Sequence, residues 1–381
     1  MLLNFWYAVE LSTHVTERPR KVRVLGQDLA LYRDGARVVA LNDVCPHRGG
    51  SLAGGFRDGA CLRCPYHGWR FDAAGRCTDI PANPPGAPIP RRARVDAYPT
   101  DERYGFVWVF LGDLPEAERP PIPTFPEFGE PGWRPIWGTF EWRAHYARVV
   151  ENGLDFAHGP FVHARSFGNP DEPMVEDYEV TTDEWGGGAR LTVPASRPRG
   201  LWKYFWPSAR PRVPVRLQFY MPNLIRIELQ PTPRWRIIIF DSNVPVDETH
   251  TRTLWVAHRN FFPGAWADGD ARRRTLEIFR EDLPVVEAIR PVAPGSSAQG
   301  EVPLKSDQLP LAYRRLRRKY LEMGWGVDGV VLREAGAADQ SVAPAGAFAA
   351  PSPGRREDAG SFPVPGLPRL DLKARRPPQP G

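Results

Sequence analysis

The sequence predicts an α+β chain: a small all-β domain, then a larger domain in which helices flank an antiparallel sheet. Three observations carry that expectation. Residues 1–110 break into short runs of alternating apolar and polar residues, such as KVRVLG, DLALYRDG, RVVALND and YGFVWVFLGD, separated by Gly, Asp and Asn. A second group of strand-like runs follows much later, at VPVRLQFYMP, NLIRIELQP, RWRIIIFDSNVP and TRTLWVAHRNFF. Two long helical segments, about 270–291 and 306–323, close the order, and strands followed by packed helices give an α+β domain.

The boundaries follow from composition. Residues 114–136 (LPEAERPPIPTFPEFGEPGWRPI) are Pro-rich and read as a linker or surface wrap, so the first domain is expected over 1–113 and the second over 114–335. Residues 336–381 are rich in Ala, Pro, Gly and Ser and are expected to form a disordered tail. Hydrophobic residues make up 42% and charged residues 25%, the balance of a soluble globular protein. No apolar run is long enough for a membrane span, and the first residues lack the basic and cleavage elements of a signal peptide. Four cysteines, three of them within one short window, argue for metal binding in a reducing cytoplasm rather than a disulfide scaffold. A net charge of +5, spread along the chain, gives no nucleic-acid footprint. The one basic run, Arg314-Arg315-x-Arg317-Arg318-Lys319, reads as the solvated face of a helix.

Residues 44–71, VCPHRGGSLAGGFRDGACLRCPYHGWRF, hold three cysteines and two histidines. One choice of ligands is a zinc site built on Cys61-x2-Cys64, which leaves a strong donor of CPH idle. The other takes Cys45, His47, Cys64 and His67 as two equivalent Cys-plus-His hairpin tips, with 16 residues between His47 and Cys64. That is the ligand set of a Rieske [2Fe–2S] centre, in which two thiolates hold one iron and two imidazoles the other. By CPHRGGSL and CPYHGW the sequence resembles the Rieske family. Respiratory Rieske proteins carry a further cysteine in each loop; here those positions are Gly50 and Tyr66, so the resemblance is to the oxygenase type. Cys61 is then expected as a core strand residue and Cys77 as a loop thiol.

About 220 residues beyond that domain need their own account. The stretch ENGLDFAHGPFVHARSFG holds His158 and His163. On an ideal helix Glu151, Asn152, Asp155 and His158 share a face, and Gly159-Pro160 is expected to break the helix and swing His163 towards His158. On this stretch alone, two histidines near a helix end without metal is an equal reading. Downstream, in TLEIFREDLPVVEAIRP, Asp282 falls inside an apolar stripe of Ile278, Phe279, Leu283, Val285, Val286 and Ile289, while Glu277, Glu281 and Glu287 lie on its flanks. A carboxylate facing a core is costly unless paired or metal-bound; the rival reading has Asp282 capping a new helix that begins near Pro284.

Rieske non-haem iron oxygenases carry N-x2-D-x2-H-x4-H, and Asn152, Asp155, His158 and His163 match it at every position. The resemblance, which covers about residues 1–325, implies a helix-grip catalytic domain with mononuclear Fe(II) held by His158, His163 and a late-helix carboxylate, for which Asp282 is preferred to Glu281. It implies that Asp155 bridges a cluster histidine, His47 or His67, to His158 across neighbouring subunits, and that Asn152 lines the iron pocket. His14, His145, His250 and His258 fall outside any motif and read as structural or exposed. The implied function is a homotrimeric monooxygenase that uses O2 to hydroxylate or demethylate an aromatic or polycyclic organic substrate. Electrons come from NAD(P)H through a separate reductase, with or without a ferredoxin, because no flavin or nicotinamide motif is present. A cis-dihydroxylating dioxygenase and a Rieske electron carrier without turnover are the alternatives. Trp202, Phe205, Trp206 and Phe219 are weighed as pocket residues, with core packing preferred for each.

Overall fold

The computed structural model describes residues 1–194, 212–295 and 300–327. The tail expectation and the aromatics Trp202, Phe205 and Trp206 lie outside the described residues. The chain divides into two units, one of residues 1–122, 246–248 and 320–381, the other of residues 123–245 and 249–319.

The first unit is built from eleven short strands: β1 (Phe5–Leu11), β2 (Arg20–Val24), β3 (Gln27–Asp34), β4 (Arg37–Asn42), β5 (Phe56–Asp58), β6 (Cys61–Arg63), β7 (Arg70–Phe71), β8 (Cys77–Asp79), β9 (Ala97–Tyr98), β10 (Thr100–Arg103) and β11 (Phe106–Leu111). They pair antiparallel into three small sheets, ordered β1-β11-β10, β2-β3-β4-β9 and β5-β6-β7-β8. One core joins the last two sheets, with Tyr32, Leu41, Leu62 and Phe71 packed around Cys45 and Cys64. Cys77, expected in a loop, begins β8 and is buried in this core. Its run CTD is too short to show an alternation on sequence alone.

The second unit holds a seven-stranded antiparallel sheet in the order β12-β18-β17-β16-β15-β14-β13, formed by β12 (Arg134–Trp142), β13 (Val180–Thr182), β14 (Gly186–Pro194), β15 (Arg212–Tyr220), β16 (Leu224–Leu229), β17 (Ile237–Pro245) and β18 (Thr251–Arg259). Helices α1 (Tyr146–Leu154), α2 (Gly159–Val162), α3 (Asp268–Ala288) and α4 (Gln308–Tyr320) accompany it. Val149 of α1 and Phe279 and Val286 of α3 share a core with Ile136, Ile239 and Trp255 of the sheet. The α+β architecture, all-β first and sheet-plus-helices second, is the one the sequence predicts.

Two local expectations need correction. Helix α1 stops at Leu154, and Asp155 is extended (φ −83°, ψ 125°), so the helix face proposed for Glu151, Asn152, Asp155 and His158 does not exist as such. The break comes four residues before Gly159-Pro160, because the Asp155 carboxylate accepts the N–H groups of Ala157 (2.7 Å) and His158 (3.2 Å) and turns the chain. The basic run on α4 is not wholly solvated: Arg314 and Arg317 are buried. Arg314 donates to Glu151 (2.8 Å) and Glu301 (2.7 Å), and Arg317 to the Tyr146 hydroxyl. Partners far away in sequence decide which arginines turn inward.

Asp268, the first residue of α3, accepts from Arg134 of β12 (2.7 Å) and Arg259 of β18 (2.6 Å). These guanidiniums, Arg134 first, hold its carboxyl down to about 2. A depressed carboxyl adds stability that is complete above its ordinary range and is lost as pH falls through the folded value. Asp268→Asn should lower the thermal midpoint by about 2–4 °C at pH 7. The gap from the parent protein should close on acidification towards pH 2, measured by circular dichroism melts across that range.

Candidate metal centres

Two hairpin tips in the first unit repeat one backbone pattern. The Cys45 N–H donates to the Gly50 carbonyl (2.9 Å) and the Gly49 N–H to the Cys45 carbonyl (2.9 Å); likewise Cys64 donates to Trp69 (2.8 Å) and Gly68 to Cys64 (3.0 Å). Both closures need a left-handed residue four places after the cysteine, supplied by Gly49 (φ +70°) and Gly68 (φ +72°). The tips bring the thiols of Cys45 and Cys64 into mutual hydrogen-bond contact, both 2% exposed. The rings of His47 and His67 lie 4.3 Å apart, and His47 stacks on Trp69 at 4.6 Å.

The electrostatics divide the two thiols. Cys64 is lowered to about 6, first by the hydrogen bond from Cys45 and then by the backbone N–H groups of Tyr66 and His67 opposing burial; Cys45 is correspondingly raised. Nδ1 of His47 is buried with no hydrogen-bond partner, an unspent lone pair at the same place. Thiol is paired with thiol and imidazole with imidazole, the division that two irons require. Cys61 packs elsewhere, on β6, with its sulfur 4.0 Å from Thr78 Oγ1. A Cβ built on Gly50 would lie 3.3 Å from Cβ of Tyr66. Those two positions are thus near disulfide spacing, yet neither holds a cysteine.

In the second unit, α2 is a single helical turn with His158 and His163 at its two ends and Pro160 in its opening. Proline at this position starts a helix rather than breaking one, since its missing N–H has no partner there. The turn brings His158 Nε2 to 3.1 Å from His163 Nε2. Asp282 Oδ1 completes the group, 3.3 Å from His163 Nε2 and 3.5 Å from His158 Nε2. Among the described residues this is the one group of three metal-ligating side chains whose donor atoms all lie within 4.8 Å of each other. Asp282 lies in the middle of α3, on a buried face shared with Thr275, Phe279 and Val286; the helix runs on through Pro284, so the capping alternative does not apply.

Around the triad each remaining polar group has a distinct partner. Glu281 meets the other nitrogen of the His163 ring, accepting from Nδ1 (2.9 Å) and from Ser166 Oγ (2.6 Å). With that proton placed, Nε2 of His163 presents its lone pair to the triad. Asn152 of α1 lines the same cavity as Asp282 and favours its charged form. Asp155 Oδ2 lies 3.6 Å from His158 Nδ1, an ion-pair distance longer than a hydrogen bond, and its side chain keeps 27% of its exposure. Burial opposes charge on His158, and Asp155 and Asp282 outweigh it, raising the imidazole above its ordinary value. Burial lowers His163 and raises Asp282. Asp282 Oδ1 has no hydrogen-bond partner, so the group fits a bound cation.

The triad opens on a cavity of about 580 Å³, lined mainly by apolar strand residues that include Leu217, Ile225, Ile227 and Ile239. Asp241 also lines it, 3% exposed; burial, then the Asp282 charge, raises its carboxyl to about 8. Phe219 is fully buried against Tyr313 instead. His145 caps α1 by accepting the Ala147 N–H (3.2 Å), and His258 is buried against Phe128. His14 and His250 are exposed. Two participants escaped sequence reasoning: Glu281, seen only as a rival ligand, and Asp241, inside an apolar strand with no motif. Glu281→Gln should weaken metal affinity at the triad about 10- to 100-fold. Metal analysis against a graded chelator would check this, with the visible spectrum of the protein's [2Fe–2S] cluster unchanged.

Comparison with known proteins agrees with this geometry. Residues 5–99 match the Rieske [2Fe-2S] domain, and residues 142–323 match the vanillate O-demethylase oxygenase C-terminal domain. Methylxanthine N1-demethylase NdmA of Pseudomonas putida is 29% identical over 345 residues, 84% of this chain and 90% of that protein. The oxygenase component of dicamba O-demethylase from Stenotrophomonas maltophilia is 30% identical over 300 residues, 75% of this chain and 87% of that protein. The crystal structure of dicamba monooxygenase bound to 3,6-dichlorosalicylic acid superposes with a TM-score of 0.73 at 28% identity, covering 85% of this chain and 98% of that one. Hairpin tips, histidine–carboxylate triad and relatives point the same way: the chain belongs to the Rieske non-haem iron oxygenases, oxidoreductases of the alpha-subunit type that carry a Rieske [2Fe–2S] cluster and a mononuclear iron.

Proposed function

We propose that the chain is the oxygenase component of a monooxygenase that hydroxylates or demethylates an aromatic or polycyclic organic substrate. The observation that carries this reading is the triad of His158, His163 and Asp282 at the wall of a large apolar cavity. Cys45, His47, Cys64 and His67 hold the cluster in a Rieske domain, and His158, His163 and Asp282 hold the iron in a catalytic domain. When bound, the cluster supplies electrons one at a time and the iron supplies oxygen activation. The protein's own work is to bind and orient the substrate and to keep the metal-facing nitrogens free of protons. Glu281 does the latter for His163, and the apolar strands do the former. The names of the relatives, a methylxanthine N1-demethylase and a dicamba O-demethylase, support removal of methyl groups from ring compounds as the reaction type.

Asp155 is the proposed link between redox centres. Its part-exposed carboxylate, held by the N–H groups of Ala157 and His158, lies beside His158 and would accept with a remaining lone pair from a cluster histidine of a neighbouring subunit in a homotrimer. Electrons enter from a separate reductase, with or without a ferredoxin. Among the described residues no helix is long and apolar enough to cross a membrane.

Product formation with a surrogate reductase, NADH and oxygen on a panel of methoxy- and methyl-substituted ring compounds tests the function; no product on any of them would favour an electron carrier. Asp155→Asn should keep both metals, by iron analysis and cluster absorption, yet lower turnover at least about 100-fold. Substantial remaining activity would remove the bridging role. Cys64→Ser should abolish the cluster absorption and its reduced-state EPR signal, whereas Cys61→Ser should retain both; the reverse result would restore the zinc-like C-x2-C pairing.

A further inference from the structure

The cavity beside the triad sorts its polar side chains into two sets. Asn243 is fully engaged: Nδ2 donates to the Asn223 carbonyl (3.3 Å), and Oδ1 accepts from the Thr253 hydroxyl (2.6 Å), which itself accepts from Trp142 Nε1 (2.8 Å). Asp241 and Asn169 are not. Asp241 Oδ1 and both amide atoms of Asn169 are buried without a hydrogen-bond partner, although the residues are only 3% and 4% exposed and both line the cavity. Asp241 sits on β17 between Ile239 and Asn243, two residues from each, and all three line the cavity as the period of a strand requires.

A buried polar atom without a partner costs about 1–3 kcal/mol, and a buried carboxylate more. Such groups persist where a ligand completes them. The charge of the cavity narrows the ligand. Its described lining includes Asp155, Glu172, Glu176, Asp241 and Asp282 but no lysine or arginine. Apart from the metal that the triad would hold, a substrate carboxylate or sulfonate would find no cationic side chain among the described lining residues and would face Asp241. A basic nitrogen would instead share one proton with Asp241, as donor or acceptor, and the apolar strands would hold its ring.

We infer that the pocket takes an apolar, ring-bearing substrate with a basic nitrogen, anchored by a hydrogen bond to Asp241 and oriented by a second polar contact to Asn169. Asp241 is thereby a specificity-determining residue. The inference rests on reading this cavity as the substrate pocket of an oxygenase. Three probes that share a ring and a methoxy group test it: 6-methoxy-2-naphthalenemethylamine, the corresponding alcohol, and 6-methoxy-2-naphthoate. Binding to the metal-loaded protein is measured by titration calorimetry, and methyl removal by formaldehyde release under reductase, NADH and oxygen.

The amine should bind about 10-fold more tightly than the alcohol and about 100-fold more tightly than the naphthoate. Asp241→Asn, nearly isosteric, should weaken the amine about 10-fold or more and leave the alcohol within about 3-fold. The ranking on the parent protein needs no variant to fold. Naphthoate binding as tightly as the amine, or an amine affinity untouched by Asp241→Asn, would overturn the proposal. The two readings fail separately. Amine binding without any oxygenation sinks the oxygenase reading and leaves the anchor standing, whereas methyl removal from the naphthoate by parent and Asp241→Asn alike does the opposite.

Discussion

The second unit is organised around a carboxylate on the wrong side of a helix. Asp282 shares the buried face of α3 with Phe279 and Val286, and taking such an ion out of water costs several kcal/mol unless another charge offsets it. What lies opposite are two imidazole nitrogens, 3.3 and 3.5 Å from Oδ1 and 3.1 Å from each other. His163 has its proton committed on the far side, to Glu281, so it faces the carboxylate with a lone pair. Three electron-rich atoms at these separations repel one another, and a cation placed among them turns the repulsion into binding. The short α2 turn, the Asp155 cap before it and the Glu281–Ser166 contact behind it all serve to hold those atoms in place.

The first unit solves the same problem with softer ligands. Two loops that share a proline after the cysteine and a glycine four places on fold to one hydrogen-bond pattern, so each presents a sulfur together with an imidazole, His47 two residues after Cys45 and His67 three after Cys64. Backbone N–H groups of His47, Tyr66 and His67 are aimed at the sulfurs and favour the thiolate form. In the second unit a side chain has that part, since the Glu281 carboxylate holds the proton of His163 on the far side of the ring. That division of labour suits centres whose chemistry belongs to the cofactor.

How far the sequence reveals this depends on whether the information is local. The hairpin tips are legible because their donors, prolines and glycines all fall within 28 residues. Asp282 is legible because a polar residue in an apolar stripe stands out against a 3.6-residue period. The end of α1 is less so: spacing carried the helix past Asp155, while the actual stop depends on that side chain capping two N–H groups downstream. Arg314 and Glu281 were hidden for a different reason. Each is one of several like-charged neighbours, and only partners supplied by other elements (Glu151 and Glu301 for one, His163 and Ser166 for the other) tell them apart.

Specificity follows from the same accounting of polar atoms. The sheet can afford Asn243 in its apolar wall because Asn223, Thr253 and Trp142 satisfy it from within the protein, so it adds rigidity and little selectivity. Asp241, two residues earlier on that wall, has its Oδ1 buried with no such partner. A carboxyl that burial presses towards its neutral form keeps its proton as a donor, and a nitrogen lone pair facing it completes that donor as no apolar or anionic group can. The residue that makes the empty cavity least comfortable is therefore the one able to discriminate among ring compounds of equal size, because apolar walls alone distinguish them by only a methylene's worth of free energy.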